Sequence, residues 1–423
     1  MVLEGQRKLQ PTEAARELVL LPSLKASPGP GGGWVLTRKY LNGVAEYARS
    51  WPGPVTSLVR LADEPLSDMD PVEVGPGDAG PRVELRPSDP HAFRERLRHA
   101  AAVLAFLSPF ELETARLCHE LGVPLIFTSE YTLRTEWQIL EAEVVNPLLR
   151  WRRKLWAWQA ERKRRDALRL ATGLQCSGTP TYEVYRRIRP DAMIFFDNRV
   201  PRHAVIQTPQ LSLKRVKLLE GGPLRLVFGG RLIAMKGVRD LPRFALSLKR
   251  MGVAFTLDIY GRGVLERELE HDIQARGLQK EVRLRGVMDF DSEWIPMLKD
   301  RADLFICCHP QGDPSSTYPE VMSCGVPIAG YANEAFVGVV GHSSAGWVSP
   351  IGDPQALACL VARLSNDRGE IARAAEAARR FAQRHAFEAT FAARVAHITR
   401  LSRLPEAELR LADRHAPEAR VTA

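Results

Sequence analysis

Short apolar runs alternate with longer segments of helical periodicity along most of the chain. In the first half, Leu18–Leu21, Val55–Leu61, Ala102–Leu107, Pro124–Thr128 and Met193–Phe196 are β-rich and each precedes a helical pattern. In the second half, Leu224–Phe228, Ala254–Tyr260, Val282–Arg285, Leu304–Cys307 and Pro327–Gly330 repeat the arrangement. Strands separated by helices make parallel sheets covered on both faces, so the pattern predicts two doubly wound α/β units. In such sheets ligands bind beyond the carboxyl ends of the strands, so candidate chemistry belongs at those ends.

The segment Pro201–Gly222 mixes prolines, bases and a terminal Gly-Gly without clear periodicity and reads as a linker. The expected division is residues 1–200, an N-terminal Rossmann-like domain; 201–222, the linker; 223–382, a C-terminal Rossmann-like domain; 383–404, a C-terminal helix; and 405–423, a polar, Pro-interrupted tail. Asp68–Arg86, rich in Gly, Pro and Asp, reads as a long surface loop. No internal repeat of solenoid period is present.

Composition narrows the class without deciding it. With 423 residues, 45% apolar and 26% charged, the chain has the balance of a globular protein of two or three domains. No apolar run reaches the roughly 20 residues that span a bilayer, and the start is polar where a signal peptide needs an apolar stretch, so a cytoplasmic protein is expected. A net charge of +9 favours phosphates, anionic lipid or nucleic acid as partners and does not choose among them. The six cysteines form no C-x-x-C pair and read as reduced core residues, and the ten histidines show no metal-ligand spacing. Asp68-Met69-Asp70 and Asp289-Phe290-Asp291 mimic a metal-binding D-x-D, but the first falls in the loop and the second fits a helix cap before Glu293. Gly261-Arg262-Gly263 begins like a dinucleotide fingerprint, yet Glu266 stands where its third glycine belongs. No metal and no cofactor are expected.

Two stretches carry chemistry. In Leu224–Gly237 a buried strand runs into Gly229-Gly230, with Arg231 and Lys236 five apart and Gly237 before a helix. Glycines at that junction let backbone amides approach an anion while two cations neutralise a diphosphate; the alternative is a tight turn with two solvated bases. In Leu304–Gly330 a strand is followed by a polar loop containing Asp313, Ser315, Ser316 and Thr317, then Glu320 near a helix start and Cys324-Gly325-Val326-Pro327 before another strand. Glu320 can accept hydrogen bonds from vicinal hydroxyls, or serve only as a favourable first-turn acid.

Taken in order, Gly230-Arg231-Leu232 with Lys236-Gly237, Asp258–Gly263, Val282–Gly286, Ala302–Phe305 and Pro319–Pro327 resemble the donor domain of the retaining glycosyltransferases of family 4, the glycosyl transferases group 1. The resemblance implies the GT-B fold, two Rossmann-like domains facing a cleft. It also implies a nucleoside diphosphate sugar as co-substrate and a retaining nucleotide-sugar-dependent transferase; the basic tryptophan segment Arg150–Arg165 favours a saccharide or lipid-linked saccharide of envelope or exopolysaccharide assembly as acceptor. In that frame Arg231 and Lys236 are catalytic and bind the diphosphate with Gly230. Glu320 holds the ribose, and Gly261, Gly263 and the turn at Gly286 to Met288, including Val287, line the base. The loop residues Ser315, Ser316 and Thr317 belong to the donor site. The family carries a second glutamate eight positions before Glu320; here Gly312 stands there with Asp313 beside it, and Asp313 is the substitute.

The N-terminal half matches more loosely. Gly31, Gly32 and Gly33 precede a run containing Arg38, Lys39 and Tyr40, where the family places a glycine loop facing the donor phosphates; a surface turn is the alternative. Ser129-Glu130-Tyr131 stands where many relatives have a cleft histidine, and no base is assigned there. Arg150–Arg165 holds eight bases, one acid and three tryptophans, a composition suited to an anionic membrane surface and to a protein peripheral at the inner face of the cell membrane. A solvated helix with inward tryptophans is the alternative. The rivals to a transferase are a sugar-nucleotide epimerase or phosphorylase of the same fold, and a basic nucleic-acid-binding module, which has no support beyond charge.

Overall fold

The computed structural model describes residues 16–62, 71–75 and 81–403. The polar start, the Asp68-Met69-Asp70 motif and the polar tail lie outside the described residues.

The first domain is built on a parallel core sheet in the order β10-β9-β8-β7-β1-β4. Its strands are β1 (Leu18–Leu21), β4 (Val55–Leu61), β7 (Ala102–Phe106), β8 (Leu125–Ser129), β9 (Gly173–Ser177) and β10 (Met193–Phe195). A hairpin of β2 (Lys25–Pro28) and β3 (Trp34–Thr37), joined by β5 (Pro71–Val74), extends the edge beyond β4, while β6 (Arg82–Leu85) pairs parallel with β4. Thus Asp68–Arg86 is not one long loop. Val72, Val74 and Val83 turn alternate positions onto the small core of Ala26, Leu36 and Val59, and the flanking Gly and Pro residues hide this two-residue period. The helices are α1 (Arg38–Ser50), α2 (Pro90–Arg98), α3 (Leu112–Leu121), α4 (Leu133–Glu143), α5 (Pro147–Leu170) and α6 (Thr179–Tyr185).

The second sheet is wholly parallel, in the order β13-β12-β11-β14-β15-β16. It comprises β11 (Leu224–Gly229), β12 (Phe255–Tyr260), β13 (Val282–Gly286), β14 (Leu304–Cys307), β15 (Ile328–Tyr331) and β16 (Gly346–Ser349). Every residue of β14 and β15 is buried, as expected of central strands covered on both faces. The order reverses between β11 and β14, so the crevice at their carboxyl ends is the switch point. Around the sheet lie α7 (Thr208–Leu219), α8 (Leu241–Arg250), α9 (Glu266–Ala275), α10 (Ile295–Arg301), α11 (Thr317–Ser323), α12 (Glu334–Ser343), α13 (Pro354–Asn366) and α14 (Arg368–Arg384); α15 (Phe387–Leu401) follows.

The segment read as a linker therefore contains a helix, α7. Leu211 and Leu218 pack inward, and between them Lys214 is buried, its Nζ donating to the carbonyls of Leu298 (2.8 Å) and Cys324 (3.1 Å). That lysine on the packed face broke the apparent periodicity. Burial lowers its ammonium to about 8.

The chain crosses between domains twice. After β10 it passes through Phe196–Ile206 into the second domain; after α14 it returns, and α15 packs on the first. Phe391 meets Tyr47 edge-on at 5.0 Å, and Arg394 Nε donates to Gln175 Oε1 at 2.8 Å. The crossings are bonded to each other, since Asn198 Nδ2 donates to the His385 carbonyl (3.0 Å) and the Phe387 amide to the Val200 carbonyl (3.1 Å).

His385 sits against Phe381 and Phe196, with ring centroids 4.5 and 5.0 Å away, and burial lowers its imidazole to about 4. A folded-state value below the unfolded 6.5 means that the unfolded chain takes up the proton first. His385 thus contributes stability that is present above pH ~6.5 and is lost as pH falls towards ~4. The expected result is a melting temperature that falls across that window in the wild type and falls less in His385→Phe. Parallel curves for the two proteins would exclude this role.

Candidate functional site

The site is assembled where β11, β12, β13 and β14 end. Gly230 leaves β11 with φ 153°, and its amide donates to the Tyr260 carbonyl at 3.0 Å. The turn at the end of β12 lies directly against it: a Cβ on Gly261 would stand 1.9 Å from the Gly230 oxygen, and one on Gly263 2.4 Å from the Leu232 oxygen. The two glycine turns are pressed backbone to backbone, which requires glycine at both positions. Gly261 also donates to the Gly286 carbonyl at 2.7 Å, bringing in the turn after β13, where Val287 is exposed and Met288 is partly buried.

Past Leu232 the chain makes a short 3₁₀ turn, Ala234–Lys236, closed by Gly237 at φ 65°. Arg231 follows Gly230 directly, and the turn places Lys236. Arg231 is exposed and makes no ion pair among the described residues. Lys236 is largely buried, with Nζ 2.8 Å from Asp313 Oδ2.

Asp313 belongs to the loop after β14, at the start of which His309 and Gln311 are buried. Burial holds the His309 imidazole well below its usual range, with Lys236 acting in the same direction, so the ring is neutral. Both amide atoms of Gln311 lack a protein hydrogen-bond partner among the described residues, an uncommon state for a buried side chain. Ser315 and Ser316 lead into α11, whose first turn contains Thr317 and Glu320. The Glu320 carboxylate is buried and ion-paired to Arg199, with Oε1 2.7 Å from Nε and Oε2 3.3 Å from Nη2. The guanidinium of Arg199 lies over the Phe290 ring at 3.8 Å.

The first domain supplies the other wall. Thr37 caps α1, and Lys39 in its first turn reaches Asp197 at 2.8 Å. Glu130 and Tyr131 follow β8. Burial pushes the Glu130 carboxyl up, reinforced by Asp197 and Asp313. Burial likewise raises the Tyr131 phenol, with Asp313 adding to the shift and Arg231 opposing it. Residues of the two domains thus share one electrostatic environment. A cavity of about 400 Å³ opens beside them, lined by Lys39, Tyr40, Glu130, Asp197 and Arg394.

Helix α4 grips the loop after β14. Gln138 Oε1 accepts from the Gly312 amide (3.0 Å), Thr135 Oγ1 donates to the Gly312 carbonyl (3.5 Å), and Arg134 Nε pairs with Glu334 Oε1 (2.5 Å).

The structure thus brings together Gly230, Arg231, Lys236, Gly261, Gly263 and Asp313, with Glu320 on the helix that follows the Asp313 loop. Gly31–Gly33 form the turn of the β2–β3 hairpin, where the Gly31 and Gly33 amides donate to Glu73 Oε1 at 2.8 and 3.0 Å. Those amides are committed to a carboxylate, and the positive group that α1 presents is Lys39. Asp289 caps the turn before α10 by accepting from the Ser292 amide at 2.9 Å. No cluster of metal-ligating side chains occurs among the described residues. Sequence reasoning passed over Arg199, Asp197, Gln138 and Gln311; the run Asp197-Asn198-Arg199 immediately after an apolar strand was the available signal.

Two parallel α/β domains with a charged cleft at their strand ends define the GT-B fold. The structure is similar over 90% of its length to that of Anabaena HepE in complex with UDP, covering 98% of that chain with a TM-score of 0.61 at 16% identity. It is also similar to WaaG, a glycosyltransferase involved in lipopolysaccharide biosynthesis, with a TM-score of 0.56 at 14% identity over 90% of this chain and 99% of that one. Residues 210–381 match the family described as Glycosyl transferases group 1. In sequence, 163 residues are 31% identical to the amylovoran biosynthesis glycosyltransferase AmsK of Erwinia amylovora, 37% of this chain and 40% of that protein.

Proposed function

We propose that this protein transfers a sugar from a nucleoside diphosphate donor to a saccharide or lipid-linked saccharide acceptor of envelope or exopolysaccharide assembly, with retention at the anomeric carbon. The observation that carries the reading is the Lys236–Asp313 ion pair, which joins the turn after β11 to the loop after β14 at the switch point of the second sheet. The matched family and the exopolysaccharide role in AmsK's name support it.

The difficult step is departure of the diphosphate. Arg231 and Lys236 are fixed by a glycine-braced turn, so their charge is in place before negative charge develops on the leaving oxygen. Lys236 exchanges Asp313 for the diphosphate, and Asp313, released, accepts from a hydroxyl of the donor sugar. Glu320 accepts from the ribose, and the unpartnered Gln311 amide is available to the sugar. With retention, the acceptor approaches on the face the diphosphate leaves, so the departing phosphate oxygen is placed to take the acceptor's proton. The two cations supply the positive charge in this reading, which calls on no cofactor and no nucleic acid.

The test is a thermal-shift panel of UDP, GDP, ADP and their sugar conjugates, because a ligand confined to the folded state raises stability by mass action. One base series should raise the melting temperature; no shift with any of them removes the proposal. With that base, Asp313→Asn should bind the free nucleotide at least as tightly as wild type, since Lys236 is freed. It should lose about tenfold in preference for the conjugate, the scale of one hydrogen bond to a charged group. Glu320→Gln should weaken both ligands, because both contain the ribose. An unchanged preference in Asp313→Asn would take that residue out of sugar contact.

A further inference from the structure

The long helix α5 leaves an apolar stripe without a protein partner. Leu148, Trp151, Leu155 and Trp158, spaced three, four and three apart, lie on one helical face with exposures of 79, 66, 40 and 39%. The packed face carries the buried Ala157, Ala160, Arg164 and Ala167. The tryptophans are therefore not packed inward, and the stripe runs for about 15 Å. At its end the turn between α4 and α5 exposes Val145 almost completely.

The eight bases of the segment fall into three sets. Lys154 pairs with Glu141, Arg164 with Glu136 and Arg165 with Glu161, which fastens α5 to α4 and to itself. The Trp137 indole donates to the Lys154 carbonyl at 3.2 Å and completes the fastening. Arg152, Arg162 and Lys163 are exposed, make no ion pair among the described residues and, at 100° per residue, flank the stripe, whereas Arg150 and Arg153 lie on the opposite side of the helix. Arg162 stacks over Trp158, 3.7 Å from the ring centroid.

We infer that the α4–α5 hairpin docks on an anionic lipid surface through the exposed face of α5, with the Leu148–Trp151–Leu155–Trp158 stripe in the headgroup region and Arg152, Arg162 and Lys163 on the lipid phosphates. Charge complementarity selects this occupant. Indoles and aliphatic side chains beside unpaired arginines suit an interface that is apolar on one side and anionic on the other. A protein partner with an apolar face would leave these three bases uncompensated. No helix among the described residues is long and apolar enough to cross a membrane, so the attachment is peripheral.

The test is co-sedimentation of the whole chain with phosphatidylglycerol vesicles and with phosphatidylcholine vesicles, at low and high salt. Wild type should bind the anionic vesicles, and binding should fall as salt rises. Replacing Arg152, Arg162 and Lys163 together with Gln should weaken that binding on the order of a hundredfold, about fivefold per base. Leu148→Ser with Trp151→Ser should weaken binding that persists at high salt. Both variants change exposed side chains, and an unaltered melting curve verifies that they fold. Equal binding to the two vesicle types, or wild-type binding by both variants, overturns the inference. So does a wild-type dimer that the serine variant converts to a monomer while vesicle binding is unchanged, because the stripe's partner is then a second copy.

Discussion

Arg231→Ala should lower kcat/KM about 30- to 900-fold, the equivalent of 2 to 4 kcal/mol of transition-state stabilisation, and leave the melting temperature where it was. The two halves of this expectation have separate origins. Arg231 is exposed and makes no ion pair among the described residues, so the folded protein loses little with it. In the reaction it stands where the diphosphate acquires charge, and an interaction made there lowers the barrier. Lys236→Ala should lose activity on the same scale but also some stability, because Asp313 is then buried without its counter-ion. Steady-state kinetics beside thermal melts read both effects. Wild-type kcat/KM in folded Arg231→Ala and Lys236→Ala would end the assignment.

Gly237→Ala should destabilise the second domain by about 2 to 5 kcal/mol, the sum of a left-handed backbone penalty and overpacking. The residue has φ 65°, and a Cβ there would stand 1.8 Å from the Cys308 carbonyl oxygen. Gly252 provides the control: its φ is 72°, but nothing lies within 4 Å of the point where a methyl group would stand. Gly252→Ala should therefore show only the backbone penalty, about 1 kcal/mol. Denaturant titration compares the two, and equal midpoint shifts would show that contact with the end of β14 does not matter. Any Gly237→Ala protein that still folds must displace the Ala234–Lys236 turn, so Lys236 should lose its bond to Asp313.

The second half of the chain was readable because its strands are short, apolar and followed by glycine turns. Leu304–Cys307 is a strand with the same bounds in sequence and structure, and the match at Pro319–Pro327 rests on local spacing. Elements stabilised by distant partners were harder to read. β2 has few apolar positions and β3 is only four residues long, and their pairing depends on β4 and β5 across the sheet. The helix α7 was hidden by Lys214, whose burial is made possible by two carbonyls far along the chain. The site followed the same division: Arg231, Lys236 and Glu320 stand in local patterns, whereas Arg199 is brought in by the crossing between the domains and Gln138 by the docking of the first domain on the second. The Gly31–Gly33 triplet misled because Glu73, which engages its amides, is 40 residues from Gly33.

The double crossing between domains has a consequence for how the cleft can open. Two covalent strands that are bonded to each other near Asn198 and His385 behave as a two-pin hinge: they permit rotation about the line joining them and resist torsion about the long axis of the molecule. Opening is therefore a single-axis swing, and it must break the contacts of α4 with the Gly312 loop. A single proteolytic cut at either crossing leaves the other strand and the α15 interface in place, so the nicked halves should elute together until a denaturant separates them.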